Sequence, residues 1–394
     1  MKNENKDRNP KAIIKSIKLI ILLILLLSDK YIIHSKKDFI SNENKSLIIK
    51  KGKQFIDKCL NQHIINLNII EENPITISAV IPVYNCEKTI YSSICSIQRQ
   101  NFTNYEIILI DDFSKDNSSI IIKHLKEFDK RIKIITNKKN MGSLYSRNIG
   151  VLISKGKFIF ALDNDDLFFS ENIFDSILKV SLDYNYDIVG FRAFSIGNYN
   201  DKKEKIKDLY NYKYYPDNII IHQPQLSTWM IRIKNHFQPH DVTIWAKCIK
   251  KSIYKKAIVK LGIKRYSNFL SWAEDAIMNF VIFNEAKSFT FIHKYGIIHF
   301  LNNSTATFSM PEDIKLYGEI FFIDTIYEFS RNNVDKNMAI DGVYYIKRSF
   351  KKLKCFNNTN LIFFTSIINK FLKSKYISID NKNRIKKDFK TFFV

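Results

Sequence analysis

The chain has 394 residues, of which 45% are hydrophobic and 14% aromatic, so it can bury a large core and global disorder is excluded. Its formal net charge of +23 raises the question of nucleic acid as a partner. The basic excess is concentrated at the two ends, in residues 1–53 and 311–394, and no RNA- or DNA-binding motif accompanies it, so we predict no nucleic-acid partner.

The N-terminus carries a basic segment followed by the uncharged run LIILLILLLS at residues 19–28. This run is shorter than the roughly 20 apolar residues that span a bilayer, but a span is feasible if residues 12–18 join it and their lysines reach the headgroups. We predict a cytoplasmic tail and signal-anchor in residues 1–34 and a stem in residues 35–73. The protein would then be a single-pass type II membrane protein, facing the Golgi or ER lumen in a eukaryote. The alternatives are a cleaved signal peptide, or a segment that is neither an anchor nor a signal peptide.

From Pro74 onward, short apolar runs alternate with amphipathic segments, a pattern typical of βαβ units with a parallel sheet. The predicted strands are Ile75–Val83, Ile107–Ile110, Ile132–Thr136 and Phe158–Leu162, and the helices between them are Glu87–Gln100, Asp116–Phe128 and Ser143–Ser154. Polar residues follow each strand, at the carboxyl ends where such sheets bind ligands. They are Tyr84 and Asn85, Asp111 and Asp112, Asn137, and Asp163 to Asp166.

The second half of the pattern is less regular. We predict a helix at Glu171–Leu182, a strand at Asp187–Phe191, helices at Thr243–Leu261 and Trp272–Asn284, and short strands at Phe289–His293 and Tyr295–Phe300. Residues 309–394 read as a basic, aromatic, helical region that either packs on the domain or lies on a membrane, and we favour packing. The five cysteines are scattered without a CxxC pair, which favours free thiols over one disulfide bridge and excludes a zinc site.

The stretch FALDNDD places three carboxylates, Asp163, Asp165 and Asp166, within four positions at the end of a predicted buried strand. Carboxylate oxygens suit Mg²⁺ or Mn²⁺, which bind through one or two carboxylates plus substrate phosphates. Like charges this close repel unless a cation or a proton intervenes. We therefore predict a divalent metal at this Asp-x-Asp (DXD) motif. A polar loop in which Asp166 caps the next helix is the alternative.

Four segments in order resemble the nucleotide-binding blocks of the family 2 glycosyltransferases, which are inverting enzymes with a GT-A fold. They are ISAVIPVYN at 77–85, EIILIDDFSKDNS at 106–118, NMGSLYSRNIG at 140–150 and FALDNDD at 160–166. TIWAKCIKKSIYKKA, SWAED and YGIIHFLNNSTAT are similar to the family's later blocks. The resemblance implies an α/β catalytic domain over residues 74–308, with a Rossmann-like, mostly parallel sheet flanked by helices and followed by the helical C-terminal region.

The resemblance also implies a role for each matching residue. Around the nucleotide and its phosphates it implies Pro82, Val83, Tyr84, Asp111, Asp112, Gly142, Arg147, Asp163 and Lys247. At the metal it implies Asp165, or alternatively Asp166, together with Asp163 and with His299 as a further ligand. It implies that Asp275, in a pair with Glu274, is the catalytic general base.

The expected function is therefore metal-dependent, inverting transfer of a hexosyl or N-acetylhexosaminyl group from a nucleotide sugar, with UDP as the expected nucleotide, to a glycan or other hydroxyl acceptor. One base for the acceptor hydroxyl and one Lewis acid for the leaving diphosphate suffice for this chemistry. A membrane-tethered, non-catalytic sugar-nucleotide or glycan-binding protein is the alternative, disfavoured because Arg147, Asp163, Asp165 and Asp275 occur together. A sugar-phosphate nucleotidyltransferase is disfavoured because no Gly-rich basic loop follows the first strand.

Overall fold

The computed structural model describes most of the chain from Pro74 onward. The described ranges are 74–199, 202–209, 218–223, 243–262, 272–301, 310–329, 358–374 and 377–388. The predicted anchor and stem lie outside these ranges. Within them, no helix combines the length and the apolar character needed to cross a membrane. Three of the five cysteines fall within the ranges, and all three are buried free thiols: Cys86, Cys95 and Cys248.

Ten strands in the described ranges form one sheet. Their bounds are β1 Ile77–Val83, β2 Tyr105–Asp111, β3 Ile132–Thr136, β4 Phe158–Ala161, β5 Leu167–Phe168, β6 Ile188–Tyr199, β7 Lys202–Asp208, β8 Ile219–His222, β9 Lys247–Lys250 and β10 Ser288–Leu301. The strand order is β3-β2-β1-β4-β9-β6-β10-β5, with β7 paired to β6 and β8 paired to β10.

Helices flank this sheet and extend beyond it toward the C-terminus. The described helices are α1 Ile90–Gln98, α2 Ser118–Phe128, α3 Ser143–Ile153, α4 Ile173–Asp183, α5 Lys251–Leu261, α6 Glu274–Glu285, α7 Glu312–Phe329, α8 Asn358–Lys373 and α9 Ile379–Asp388.

The first four strands pair in parallel, as predicted from the alternating pattern. Strand β1 lies between β2 and β4, with Ile77 opposite both Tyr105 and Phe158, and β3 joins the far side of β2. Residues of β1 and β2 are buried on both faces, which is why these strands are nearly continuous apolar runs. The carboxyl ends of the four strands therefore lie side by side, and so do the loops that follow them.

The prediction of a mostly parallel sheet is wrong for the second half. Strand β9 pairs antiparallel with both β4 and β6, so the strand direction reverses there. The helix predicted at Thr243–Leu261 begins only at Lys251. The preceding residues form β9, in which Cys248 and Ile249 are buried between two strands. The sequence of these four residues is compatible with a helix as well as with a strand. They form a strand because they pair with the edges of β4 and β6, which are distant in sequence.

The two short strands predicted at Phe289–His293 and Tyr295–Phe300 are one strand. Strand β10 runs parallel to β6 along its length, and the register shifts between Ile292 and Tyr295 and again between Tyr295 and Ile297. The irregularity therefore bends one strand and does not divide it.

The described C-terminal helices pack on the domain. Helix α7 lies against α6, where the Phe280 and Phe322 rings meet edge to face at 6.4 Å. Helix α8 packs on α7 through Tyr327 and Phe371, whose centroids are 4.5 Å apart. A Lys370–Asp324 ion pair of 2.7 Å joins the same two helices. The apolar residues of these helices belong to the same core as the sheet.

Candidate active site

The loops after β1 and β2 are joined by hydrogen bonds at the carboxyl edge of the sheet. The Lys115 N–H donates to Asn85 Oδ1 (2.8 Å), and the Asn85 N–H donates to Ser114 Oγ (3.2 Å). The rim carries two exposed aromatic rings, Tyr84 at 44% and Phe113 at 39% exposure. Phe113 has φ 67, and its ring lies 3.4 Å from the Lys115 ammonium. Tyr84, which was predicted to lie around the nucleotide, therefore has a second aromatic residue on the adjacent loop.

The two aspartates at the end of β2, Asp111 and Asp112, are buried and bonded to neighbouring loops. Asp111 accepts the Ser114 N–H at 3.0 Å and the Ser119 hydroxyl. The Asp112 carboxylate accepts the N–H groups of Met141 (2.8 Å) and Gly142 (2.7 Å). Asp112 therefore fixes the loop that leads into α3.

Gly142 allows this loop to turn into α3. Its φ of 86 is a left-handed conformation that side chains rarely adopt. Its N–H donates to the Asp112 carboxylate (2.7 Å), so in this structure that donor is used within the protein.

Arg147 joins two of the predicted acidic residues. Its side chain is 2% exposed, NH1 donates to Asp275 Oδ1 at 2.5 Å, and NH2 donates to Asp163 Oδ1 at 2.8 Å. Burial opposes the guanidinium charge, but Asp275 and Asp163 hold the pKa of Arg147 above its ordinary value. The structure thus brings Arg147 and Asp163, two residues predicted around the nucleotide, into one cluster with Asp275, the predicted general base.

Asp275 binds Arg147 through only one of its two carboxylate oxygens. Its side chain is 20% exposed, Oδ1 is engaged by Arg147, and Oδ2 accepts a long 3.4 Å hydrogen bond from the Ile244 N–H. Burial raises the pKa of Asp275 to about 7; Arg147 opposes this rise, and Asp163 and Glu274 add to it. Glu274 accepts the Ser143 hydroxyl at 2.8 Å.

The Asp-x-Asp segment forms a turn tied to the centre of the sheet. The Asp166 N–H donates to the Asp163 carbonyl at 3.1 Å. The Asn164 amide donates to the Pro82 carbonyl at 3.0 Å, next to Val83 at the buried end of β1, and the Ser93 hydroxyl donates to the Asn164 carbonyl at 2.9 Å. These bonds hold the three carboxylates in a fixed order at the mouth of β4.

Asp166 and His299 form a buried pair behind that turn. Asp166 is fully buried; both its oxygens lie 3.0 Å from His299 Nδ1, and Oδ1 also accepts the Phe300 N–H at 3.1 Å. The His299 ring stacks on Trp245 at 5.0 Å. Burial lowers the pKa of His299, but Asp166 outweighs it and raises the value to about 9.

Asp165 has a destabilised charge. Burial, followed by the nearby Asp166 and Asp163, raises the pKa of Asp165 to about 8. Such a site gains from a cation, and its oxygen donors suit Mg²⁺ or Mn²⁺. Within the described ranges no three or more His, Cys, Asp or Glu side chains are arranged to hold a metal by themselves. These residues fit a metal that takes one or two carboxylates and completes its shell with phosphate and water.

The predicted residue Lys247 has a partner within the protein, and three further residues were not predicted. Lys247 is buried, and its ammonium donates to the Thr243 carbonyl. Ser143 precedes Arg147 by one helical turn, a spacing that could have shown that both face the Glu274–Asp275 pair. Tyr254 lies on the apolar face of α5, and its hydroxyl has no hydrogen-bond partner in the described ranges. For Trp245, the only indication in the sequence was its position two residues before Lys247.

Known proteins are similar to this chain in sequence and in fold. Residues 78–236 match the model of Glycosyl transferase family 2. Among curated relatives, the glycosyltransferase GlyG of Streptococcus pneumoniae is 32% identical over 136 residues, which are 34% of this chain and 43% of GlyG. The Escherichia coli UDP-Glc:alpha-D-GlcNAc-diphosphoundecaprenol beta-1,3-glucosyltransferase WfgD is 34% identical over 119 residues, 29% of this chain and 46% of WfgD. The matched segments thus span less than half of either relative.

A solved structure extends the likeness in fold. The crystal structure of S. aureus TarS 1-349 in complex with UDP-GlcNAc has a TM-score of 0.55 at 14% identity, covering 80% of this chain and 92% of that one. At this identity the likeness concerns the fold alone. Residues 78–236 are therefore similar to Glycosyl transferase family 2, and the described fold is similar to that of TarS.

Proposed function

We propose that the protein transfers a hexosyl or N-acetylhexosaminyl group from a UDP-sugar to a hydroxyl of a glycan or similar acceptor, with inversion at the anomeric carbon. The observation that carries this proposal is the environment of Asp275. One carboxylate oxygen is engaged by Arg147, the other has only a long backbone contact, and the side chain is partly open to solvent. A pKa of about 7 suits a base that must accept a proton near neutral pH.

The step requires one base. Asp275 Oδ2 takes the proton of the acceptor hydroxyl, the acceptor oxygen forms a bond to the anomeric carbon, and the bond from that carbon to the diphosphate oxygen breaks. The nucleoside diphosphate leaves with the electron pair. Arg147 keeps Asp275 oriented while its second nitrogen holds Asp163, so the base is fixed relative to the donor side of the site.

The donor assignment rests on the rim and on the relatives. Tyr84 and Phe113 offer flat apolar faces that suit a nucleobase. The name of WfgD specifies a UDP-sugar donor, and TarS is described in complex with UDP-GlcNAc and with UDP. UDP is therefore the nucleotide that we propose for this chain.

A divalent cation, Mn²⁺ or Mg²⁺, is part of the proposal. Asp165 and Asp163 would hold it together with phosphate and water, whereas His299, the further ligand that the resemblance implies, is paired through Nδ1 with Asp166. When bound, the cation would stabilise the charge on the departing diphosphate. The pairing with His299 and Phe300 favours Asp165 over Asp166 as the direct ligand.

The N-terminal anchor and a type II membrane location also remain proposals, because they concern residues 1–34. Carbonate extraction of membranes from cells that express the full chain tests both. Retention in the membrane fraction is expected, and release into the soluble fraction would contradict the anchor.

The activity is tested by incubating the purified protein with a panel of nucleotide sugars and Mn²⁺ and measuring release of the nucleoside diphosphate. We expect release from at least one UDP-sugar, lost on chelation with EDTA. Asp275→Asn should keep UDP binding by calorimetry and lose transfer. The matched control is Asp183→Asn, an exposed aspartate at the end of α4, which should behave as wild type. Absence of UDP binding by the wild-type protein would refute the donor assignment.

A further inference from the structure

The segment that carries the proposed base is held from one side by α3. The segment 272–275 connects Trp272 to the first residues of α6, and Ala273 has a left-handed φ of 61. On the α3 side, Ser143 donates to Glu274 and Arg147 donates to Asp275. These contacts fix the two acidic side chains, but they do not support the backbone that precedes them.

Helix α7 contacts that backbone directly. Gly318 lies so close to Trp272 that a β-carbon at position 318 would be 2.8 Å from the Trp272 carbonyl carbon and closer still to its oxygen. The Lys315 ammonium lies 5.5 Å from the centre of the Trp272 ring. Phe322 packs edge to face on Phe280 of α6. Segment 272–275 is therefore in contact with both α3 and α7.

We propose that α7 is a positioning element of the active site, in which Gly318 and Lys315 fix segment 272–275 and thereby the place of Asp275. The proposal rests on the function proposed above, because it assumes that Asp275 is the base. Helix α7 lies outside the residues that match the family model, 78–236. The C-terminal region thus contributes to the catalytic step without touching the substrate.

The absence of a side chain at position 318 is what permits this contact. The atoms that a β-carbon would meet belong to the backbone of Trp272, which cannot rotate away as the end of a flexible side chain can. An added methyl group must therefore push the segment or the helix apart. A shift of about 1 Å in a catalytic group is enough to lower a rate by about 100-fold.

The decisive experiment is steady-state kinetics of Gly318→Ala in the full chain, with UDP affinity measured by calorimetry. We expect kcat to fall about 10- to 100-fold, while the KM for the donor and the Kd for UDP stay within about twofold. The acid limb of the kcat profile should also move to lower pH as the segment opens to water. The charged and titratable groups that face Asp275 are Arg147, Asp163, Glu274 and Tyr254, and the substitution leaves all of them in place.

Lys315→Met is the second variant, because it removes the ammonium and keeps the helix backbone. It should lower kcat by a smaller factor, again without weakening UDP binding. Ile362→Ala, an exposed position on α8, is the control and should match the wild type. A folded Gly318→Ala with wild-type kcat, or with kcat and UDP affinity lost together, would overturn the proposal. If Gly318→Ala does not fold, a wild-type kcat for Lys315→Met overturns it.

The outcome for Asp275→Asn separates this inference from the proposed function. If Asp275→Asn retains transfer, the base assignment fails, whatever α7 does. If Asp275→Asn is inactive and both α7 variants are fully active, the base assignment stands and the positioning role of α7 is refuted.

Discussion

At the scale of single residues, the site places one arginine between two carboxylates in a buried environment. Arg147 lies under Asp163 and Asp275, and no second cation pairs with them in the described ranges. Burial of a carboxylate favours its protonated form, whereas the arginine favours the ionised form. For Asp275 the balance gives a pKa of about 7, far above that of an exposed aspartate, so small changes in neighbouring charge should be measurable.

The first prediction concerns the pH dependence of transfer. Because Asp275 must be ionised to accept a proton, kcat should fall as the pH drops through about 7. Glu274 adds to the rise in the pKa of Asp275, so Glu274→Gln removes one negative neighbour and should lower that pKa. The acid limb of the profile should then move to lower pH.

The measurement is kcat between pH 5 and 9 for the wild type, Glu274→Gln and Glu285→Gln. Glu285 ends the same helix and pairs with Lys260 at 2.8 Å, so it controls for the loss of one acidic residue. Its profile should coincide with that of the wild type. The assignment of the acid limb of the kcat profile to Asp275 would be contradicted if Glu274→Gln left that limb at the wild-type pH. It would also be contradicted if Glu274→Gln and Glu285→Gln moved the limb equally.

At the scale of elements, a strand or helix can be predicted when its own residues determine it. It cannot be predicted when contacts with residues distant in sequence determine it. Strands β1, β2 and β4 were predictable because their apolar runs are buried on both faces, and the polar residues after them mark the ligand edge. The Asp163, Asp165 and Asp166 cluster could be predicted for the same reason. Strand β9 could not, because its pairing with β4 and β6 is a property of the assembled sheet. The pairing of Arg147 with Asp275, 128 positions apart, likewise needs the fold.

The second prediction concerns the packing of α3, which carries Ser143 and Arg147, on β1. A β-carbon at Gly150 would overlap the Val80 side chain. Gly150→Ala should therefore lower the free energy of unfolding by about 1–3 kcal/mol, through overpacking. Val80→Ala alone should also destabilise, by opening a cavity.

The double variant Gly150→Ala, Val80→Ala decides whether this contact is the cause. Because the second change removes the atoms that the first one meets, the double variant should be less destabilised than the sum of the single variants by about 1 kcal/mol or more. The measurement is urea unfolding of the three variants and the wild type. Strict additivity would show that the cost of Gly150→Ala arises elsewhere.

At the scale of the whole molecule, the site draws on residues from Tyr84 to His299, and several elements must fold before it exists. Its acidic side places Asp163, Asp165 and Asp166 together at the mouth of one strand, in a chain whose net charge is +23. The overall charge does not relieve this local repulsion, because charges more than about 10 Å apart are screened at physiological salt. In the absence of metal, the repulsion among these carboxylates should therefore lower the free energy of unfolding.

The third prediction tests this cost through Asp165. The pKa of Asp165 is raised from 3.8 to about 8 in the folded protein, so between these values the folded state binds more protons than the unfolded chain. Stability must then fall as the pH rises through that window, by at most about 1.4 kcal/mol per pH unit from this group. Asp165→Asn removes this contribution. In EDTA the variant should lose less stability than the wild type between pH 5 and pH 8.

The same variant, Asp165→Asn, distinguishes the destabilising effect of the Asp165 charge from its role in metal binding. Urea unfolding at both pH values in EDTA should show the smaller slope for Asp165→Asn, and the exposed control Asp183→Asn should keep the wild-type slope. Adding Mn²⁺ with UDP at pH 8 should then stabilise the wild type and the control, because a ligand that binds only the folded state shifts unfolding. Asp165→Asn should gain much less. Equal slopes in EDTA would exclude a buried charge at Asp165, and an equal gain with Mn²⁺ and UDP would remove Asp165 from the metal site. We expect Asp165→Asn to be more stable than the wild type in EDTA and to gain little from Mn²⁺ and UDP. Both results together would mean that the Asp165 carboxylate destabilises the metal-free protein and binds the cation.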